Sequence, residues 1–248
     1  MRYLYPDIVF NIQKFGDNLS TGKSVGVIGW YEGLAGLIDS WLPETGYEVK
    51  YFFTVNNEHE QVDTSAHIRY GNKQFSYPSD GKYKNRPLIE DAYWYTNASA
   101  YDVDGFIVAL DDNAERVHNI SEAAKRGVPL FNAIHPTAIL MKDSVIGKNC
   151  VIHAKALIGY KVILGNGVII NTGSQLDHHV VAEDGVRIDP GCVLASNVLI
   201  KKCATLHTST TVINKIVIGE NSVTGAGSVI IRDVPANTRV AGVPARQI

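Results

Sequence analysis

The sequence predicts an α/β amino-terminal domain built on a small, Rossmann-like parallel sheet, followed by a left-handed parallel β-helix of hexapeptide repeats. Three observations carry the prediction. A six-residue hydrophobic period runs unbroken through the second half, strand and helix patterns alternate in the first half, and the grammar changes near residue 134. The expected division is 1–133 for the α/β domain and 134–248 for the β-helix.

Composition narrows the functional classes. At 248 residues and 45% hydrophobic content the chain can bury a full core without staples. With 23 basic against 25 acidic side chains the formal charge is −2, which argues against a polyanion binder, so no nucleic-acid partner is expected. No apolar run approaches the roughly 18 residues of a membrane span, and the start Met1-Arg2-Tyr3-Leu4 has no apolar signal region. Three cysteines without metal-ligand spacing point to a reduced, cytoplasmic protein.

In the first half, residues 24–29 read as a buried strand ending in glycine, 33–42 as a helix stopped by Gly46, and 47–53 as a second strand. Residues 105–110 form a third strand, followed by a polar helix near 113–125 and a strand at 128–131. Residues 1–22 read as an extension and 56–100 as a long polar insertion.

In the second half, every sixth residue from Ile134 to Ile230 is hydrophobic in 16 of 17 cases, Thr224 being the exception. Four residues after each lies a mostly small side chain, as at Ala138, Ser144, Cys150, Ala156, Ser174, Cys192, Ala204, Ser222 and Ser228. A period of six fits neither helix nor isolated strand. It fits hexads that are each a short strand plus a turn, three to a triangular coil, so residues 18 apart stack at about 4.8 Å. Val162, Val168, Val180 and Val186 read as outward positions, and this apolar excess predicts a homotrimer.

His153, Asn171, Asp189, His207 and Gly225 fall 18 apart and form one vertical column. Asp189 and His207 come within hydrogen-bonding reach across a rung, while His153 and His207 read as members of a solvated ladder. Stacked rungs supply only a line of ligands, so no metal is expected. Cys150 and Cys192 read as packing, and Cys203 lies off the core register. His178, two residues past the inward Leu176, sits where side chains leave the prism. There an imidazole serves either as a general base or as a plain turn residue.

The stretches Ile170-Asn171-Thr172-Gly173, Leu176-Asp177-His178-His179, Gly225-Ala226-Gly227-Ser228 and Ala241-Gly242-Val243-Pro244-Ala245-Arg246 resemble a bacterial family of sugar acetyltransferases. It comprises the sialic acid O-acetyltransferases and the nucleotide-linked 4-amino-sugar N-acetyltransferases of surface-glycan synthesis. A further similar stretch runs from Ala109 through Asp112 and Asn113 to Arg116, and the likeness covers roughly 23–53 and 104–248. It implies a trimer with acetyl-CoA as co-substrate in clefts between neighbouring prisms, and no metal.

By the same resemblance His178 is the catalytic base and Asn171, Asp112 and Asn113 contact substrate. Arg187, Thr208 and Ala226 map to the acetyl-CoA pocket, with Gly225 and Gly227 letting the pantetheine arm approach. Arg187 stands where many members have a second histidine, and reads equally as a phosphate partner or a solvated rung residue. Gly29 and Gly33 belong to a nucleotide-binding turn, here filled by Trp30, Tyr31 and Glu32. The acidic residue that follows the base in the family is replaced by His179. Asp177 precedes it, and the alternative assigns the base to His179 with Asp177 on its face. The expected function is acetyl-CoA-dependent N-acetylation of a nucleotide-linked 4-amino-sugar. The alternatives are a sialic acid O-acetyltransferase and a non-catalytic β-helix scaffold.

Overall fold

The computed structural model describes residues 22–30, 32–55 and 80–248. The amino-terminal extension, Tyr31 and most of the polar insertion lie outside the described residues.

The first half is a five-stranded sheet of β1 (Lys23–Ile28), β2 (Tyr47–Thr54), β3 (Lys82–Tyr83), β4 (Arg86–Glu90) and β5 (Gly105–Val108), in the order β3-β4-β2-β1-β5. All neighbours run parallel except the β3–β4 hairpin. Both faces of the sheet are covered, so β1 and β5 read as near-continuous apolar runs, with Val25, Val27, Ile28, Ile107 and Val108 fully buried.

Three expectations change here. The end of the insertion is a sheet edge, turned by Lys84 and Asn85, both with positive φ as a tight hairpin needs. The helix expected at 33–42 is broken into a π-type turn Glu32–Gly36, one α-turn Leu37–Asp39 and a 3₁₀ turn Leu42–Thr45, since Gly33, Gly36 and Pro43 are poor helix formers. The strand expected at 128–131 shrinks to a single bridge, Phe106 to Leu130, because Pro129 has no N–H to donate.

The second half is a left-handed parallel β-helix with three faces. The first carries Val151–Ile152, Ile169–Ile170, Arg187–Ile188, Thr205–Leu206 and Val223–Thr224; the second carries Leu157–Ile158, Gln175–Leu176, Val193–Leu194 and Thr211–Val212; the third carries Ile163–Leu164, Val181–Ala182 and Leu199–Ile200. Every rung pairs with the one 18 residues away, as Leu157 with Gln175 and Gln175 with Val193. The second residue of each strand points inward, so Ile158, Leu164, Ile170, Leu176, Ile188 and Leu206 are fully buried.

Val162, Val168, Val180 and Val186 are also fully buried, not outward. They occupy the corner position four residues after an inward aliphatic, where valine fits as well as alanine or cysteine. The exposed apolar side chains are others: Ile139 and Val193 on the second face, 58% and 41% exposed, and Met141, Ile213 and Ile231 on the edge beside it.

The turns repeat as strictly as the strands. From Asp143 to Gly227 every sixth residue has φ between 54° and 71°. That left-handed conformation is easiest for Gly and Asn, which hold most of these places. His179 and Cys203 belong to the same series.

The two halves share packing and polar contacts. Outward-facing Val151 and Ile169 of the first face join the core formed by Trp41, Leu42 and Phe52. Asn149 takes the N–H of Val108 at 2.7 Å and returns a bond to its carbonyl at 2.9 Å. Above all, Arg116 on the helix Asn113–Lys125 is fully buried between the halves. Its guanidinium donates to the carbonyls of Gly167 (2.9 Å) and Gly185 (3.0 Å) on the prism, to Leu110 (2.8 Å) and Asp111 (3.3 Å), and to Asn113 Oδ1 (2.7 Å). Removing it strands buried carbonyls and opens a cavity. Arg116→Ala is therefore expected to cost about 3–5 kcal/mol of stability, read as a fall in the guanidinium midpoint.

Candidate functional site

His178 and His179 sit on the prism edge between the second and third faces, both exposed. Because His179 is a left-handed turn residue and not a strand residue, the rule that neighbours point to opposite faces does not hold here. The two rings meet, Nδ1 to Nδ1 at 2.9 Å and perpendicular to one another. Asp177 touches neither ring: its Oδ1 accepts the backbone N–H of His178 at 2.7 Å. One rung below, Tyr160 meets His179 edge-on with ring centroids 5.9 Å apart.

A second cluster lies on the first face, beneath the amino-terminal end of the helix Asn113–Lys125. It is a cleft of about 410 Å³ whose lining includes Asp111, Asp112, Asn113, Arg187, His207 and Arg239. Asp189 is its hub. Its Oδ1 accepts from Arg187 Nε (2.7 Å) and weakly from Asn171 Nδ2 (3.4 Å), and its Oδ2 lies 2.8 Å from His207 Nδ1. Arg187 also reaches Asp111 Oδ1 at 3.1 Å. Burial pulls the Arg187 pKa down, but the bonds and charges of Asp189 and Asp111 outweigh it and leave the guanidinium above its ordinary value. The cleft thus brings together Arg187 with Asp112 and Asn113, while Gly29 and His178 stand elsewhere.

The local roles of the other candidate residues are clear. Asp112 caps its helix, accepting the N–H of Glu115 at 2.8 Å. Asn113 donates to the Cys203 carbonyl (3.0 Å) and to Thr205 Oγ1 (2.9 Å), tying the helix to the prism. Gly29, at φ 115°, leaves no room for a side chain, since a Cβ there would lie 2.5 Å from the Ala109 carbonyl oxygen; Trp30 after it is buried. Gly33 falls in the π-type turn Glu32–Gly36. A Cβ on Gly225 would lie 2.8 Å from that of Ala241, so this glycine admits the strand Arg239–Gly242, which pairs with Val223–Thr224. Gly227 is a left-handed corner, and Thr208 and Ala226 lie on the same edge of the prism, with Thr208 exposed.

His153 departs from expectation. It is 1% exposed, not solvated, with Trp41 edge-on at 5.7 Å, and its Nε2 has no partner among the described residues. Burial, with help from His135 and Arg187, pushes its pKa down to about 4. Burial pushes the thiol of Cys150 up to about 12 and that of Cys192 up to about 11, and raises Cys203 too, which leaves all three as poor nucleophiles. No group of metal-ligating side chains is found among the described residues, and no described helix is long and apolar enough to cross a membrane.

No protein-family model matches the chain, and no curated protein matches it. Solved structures do. PerB from Caulobacter crescentus, in complex with CoA and GDP-perosamine, is 25% identical and superposes with a TM-score of 0.76 over 91% of this chain and 97% of that one. The acetyltransferase domain of PglB from Neisseria gonorrhoeae FA1090, in complex with acetyl coenzyme A, is 26% identical, with a TM-score of 0.75 over 92% of this chain and all of that one. The chain shares the fold of these hexapeptide-repeat acyltransferases over nearly its whole length. WeeI from Acinetobacter baumannii AYE, 19% identical with a TM-score of 0.61, shares the fold over 90% of this chain and 99% of that one.

Sequence reasoning missed the parts played by Arg116, Asp111 and Arg239. Arg116 had a local signal: four residues after the capping Asp112 it faces back along its helix toward the residues before the cap. Nothing nearby in sequence identifies its partners on the prism.

The His153 shift gives stability a pH dependence. An imidazole that titrates at about 4 when folded and near 6.5 when unfolded takes up its proton preferentially in the unfolded chain between those values. Its contribution is complete above pH 6.5 and is lost as pH falls toward 4, in total about 3 kcal/mol. Denaturation midpoints measured from pH 7 to 4 should fall more steeply for the native chain than for His153→Leu.

Proposed function

We propose that the chain transfers the acetyl group of acetyl-CoA to the amine of a nucleotide-linked 4-amino-sugar, with His178 as general base. The observation that carries the reading is an exposed imidazole pair on the prism edge of a fold shared with PerB, whose structure holds CoA and GDP-perosamine. Thioester aminolysis asks for alignment and a base, not for a covalent intermediate. The amine nitrogen attacks the thioester carbonyl carbon while its proton passes to Nε2 of His178. The C–S bond then breaks, and the departing thiolate takes a proton from the imidazolium. Asn171, Arg187 and Asp189 line the side of the prism on which the nucleotide-sugar would sit, with Asp112 and Asn113 above them. Arg187, Thr208, Gly225, Ala226 and Gly227 are the proposed acetyl-CoA contacts.

A homotrimer is part of the same reading. Ile139 and Val193 on the second face, with Met141, Ile213 and Ile231 on its edge, form an apolar surface that a neighbouring prism would cover. On one chain the third face separates the His178 edge from the edge that carries Gly185, against which the helix Asn113–Lys125 docks. A second copy brings another chain's cleft within reach of the base. Sedimentation at micromolar concentration should report three chains; a stable monomer would remove the shared site.

Release of free CoA, followed across nucleotide-linked 4-amino-sugars and sialic acid, tests the activity. Release with an amino-sugar and none with sialic acid is expected, and His178→Ala should lower turnover roughly 10²- to 10⁴-fold with acetyl-CoA binding almost unchanged. Preferential turnover of sialic acid would move the acceptor to a hydroxyl.

A further inference from the structure

The Nδ1-to-Nδ1 contact constrains where protons sit. Two imidazole nitrogens 2.9 Å apart share one hydrogen, so one Nδ1 is the donor and the other the acceptor. A ring that donates through Nδ1 has its lone pair on Nε2. A ring that accepts through Nδ1 carries its hydrogen on Nε2. In the neutral pair one ring therefore has a basic Nε2 and the other an Nε2–H.

We propose that His179 is the positioning residue of this site: it accepts the Nδ1–H of His178 and so holds His178 in the tautomer whose Nε2 is free to take a proton. The proposal rests on the reading of His178 as base. The surroundings decide which ring is fixed. His179 has its backbone held in the left-handed turn at φ 60° by an N–H bond to the Tyr160 carbonyl at 3.0 Å, and its ring packs edge-on against that of Tyr160. Asp177, the nearby carboxylate, is engaged with the His178 backbone and orients neither ring. An acceptor for the His178 ring must come from elsewhere, and the structure supplies His179.

The backbone at 179 makes the test clean. The same position of the hexad is glycine at 167, 173, 185, 191 and 227 on the other two edges, so His179→Gly removes the ring while keeping a residue that adopts this backbone readily, and Asp also tolerates a left-handed turn, as at 143. Nitrogen-15 spectra of histidine-labelled protein at about pH 8.5, where an ordinary imidazole is neutral, distinguish the two tautomers directly. In the native chain His178 should appear as the Nδ1–H form and His179 as the Nε2–H form. In His179→Gly the Nδ1–H population of His178 should fall and turnover should drop at least about tenfold. In His179→Asp, whose carboxylate accepts from Nδ1, both should recover.

An Nε2–H form for His178 in the native chain overturns the proposal, as does a His179→Gly variant with full turnover. If instead His178→Ala keeps its activity while the tautomers are as expected, the positioning contact stands and the base assignment fails.

Discussion

A single buried guanidinium sets the geometry on which everything else depends. Arg116 reaches from the α/β half into two successive corners of the prism, at Gly167 and Gly185. Burial lowers its pKa to about 10, still far above neutrality, so the group stays charged. Among the described residues it has no carboxylate within ion-pair distance. Its charge is spread over carbonyl dipoles and Asn113 Oδ1 that match the planar fork of donors. A lysine has no such fork, and an apolar side chain would leave the acceptors bare. The same bonds hold the capped end of the helix Asn113–Lys125 over the first face, and that placement creates the cleft around Arg187 and His207.

The second constraint is the turn. A three-sided coil of hexads can close only if one residue in six adopts a left-handed backbone, and this chain keeps that rhythm from Asp143 to Gly227. Most of those places go to residues that accept the conformation easily. Where a histidine takes one, at 179, its ring is mounted on a stacked corner of the prism and not on a long loop. The contact between His178 and His179 is thus a product of coil geometry as much as of side-chain chemistry.

The prism was legible because its period is long and redundant: the inward aliphatics, the 18-residue stacking and the Asp189–His207 pair all follow from counting. Misreading came where one count served two structures. Val162, Val168, Val180 and Val186 sit at the small corner position and fill it from inside. The turn series had a partial signal in the glycines and asparagines that hold just over half of its six-residue positions, and the left-handed backbone at 179 explains why adjacent imidazoles meet. In the α/β half, proline and glycine broke the elements that hydrophobic pattern promised. Arg116 was illegible in a different way, because its prism acceptors lie 51 and 69 residues away and are backbone atoms that any residue would supply.

The ion pairs of the cleft also rank themselves. Arg187 is held on one side by buried Asp189 at 2.7 Å and on the other by half-exposed Asp111 at 3.1 Å. Partly exposed pairs contribute little, about 0–1 kcal/mol, whereas a buried carboxylate deprived of its cation is costly to leave behind. Arg239 is exposed, and among the described residues it makes no ion pair. A diphosphate drawn into the cleft would therefore meet Arg239 without competition, and would gain Arg187 by displacing Asp111 alone. Asp189 would keep its bonds to Arg187 and His207, so the prism side of the cleft would stay rigid while the side carried by the α/β half gives way.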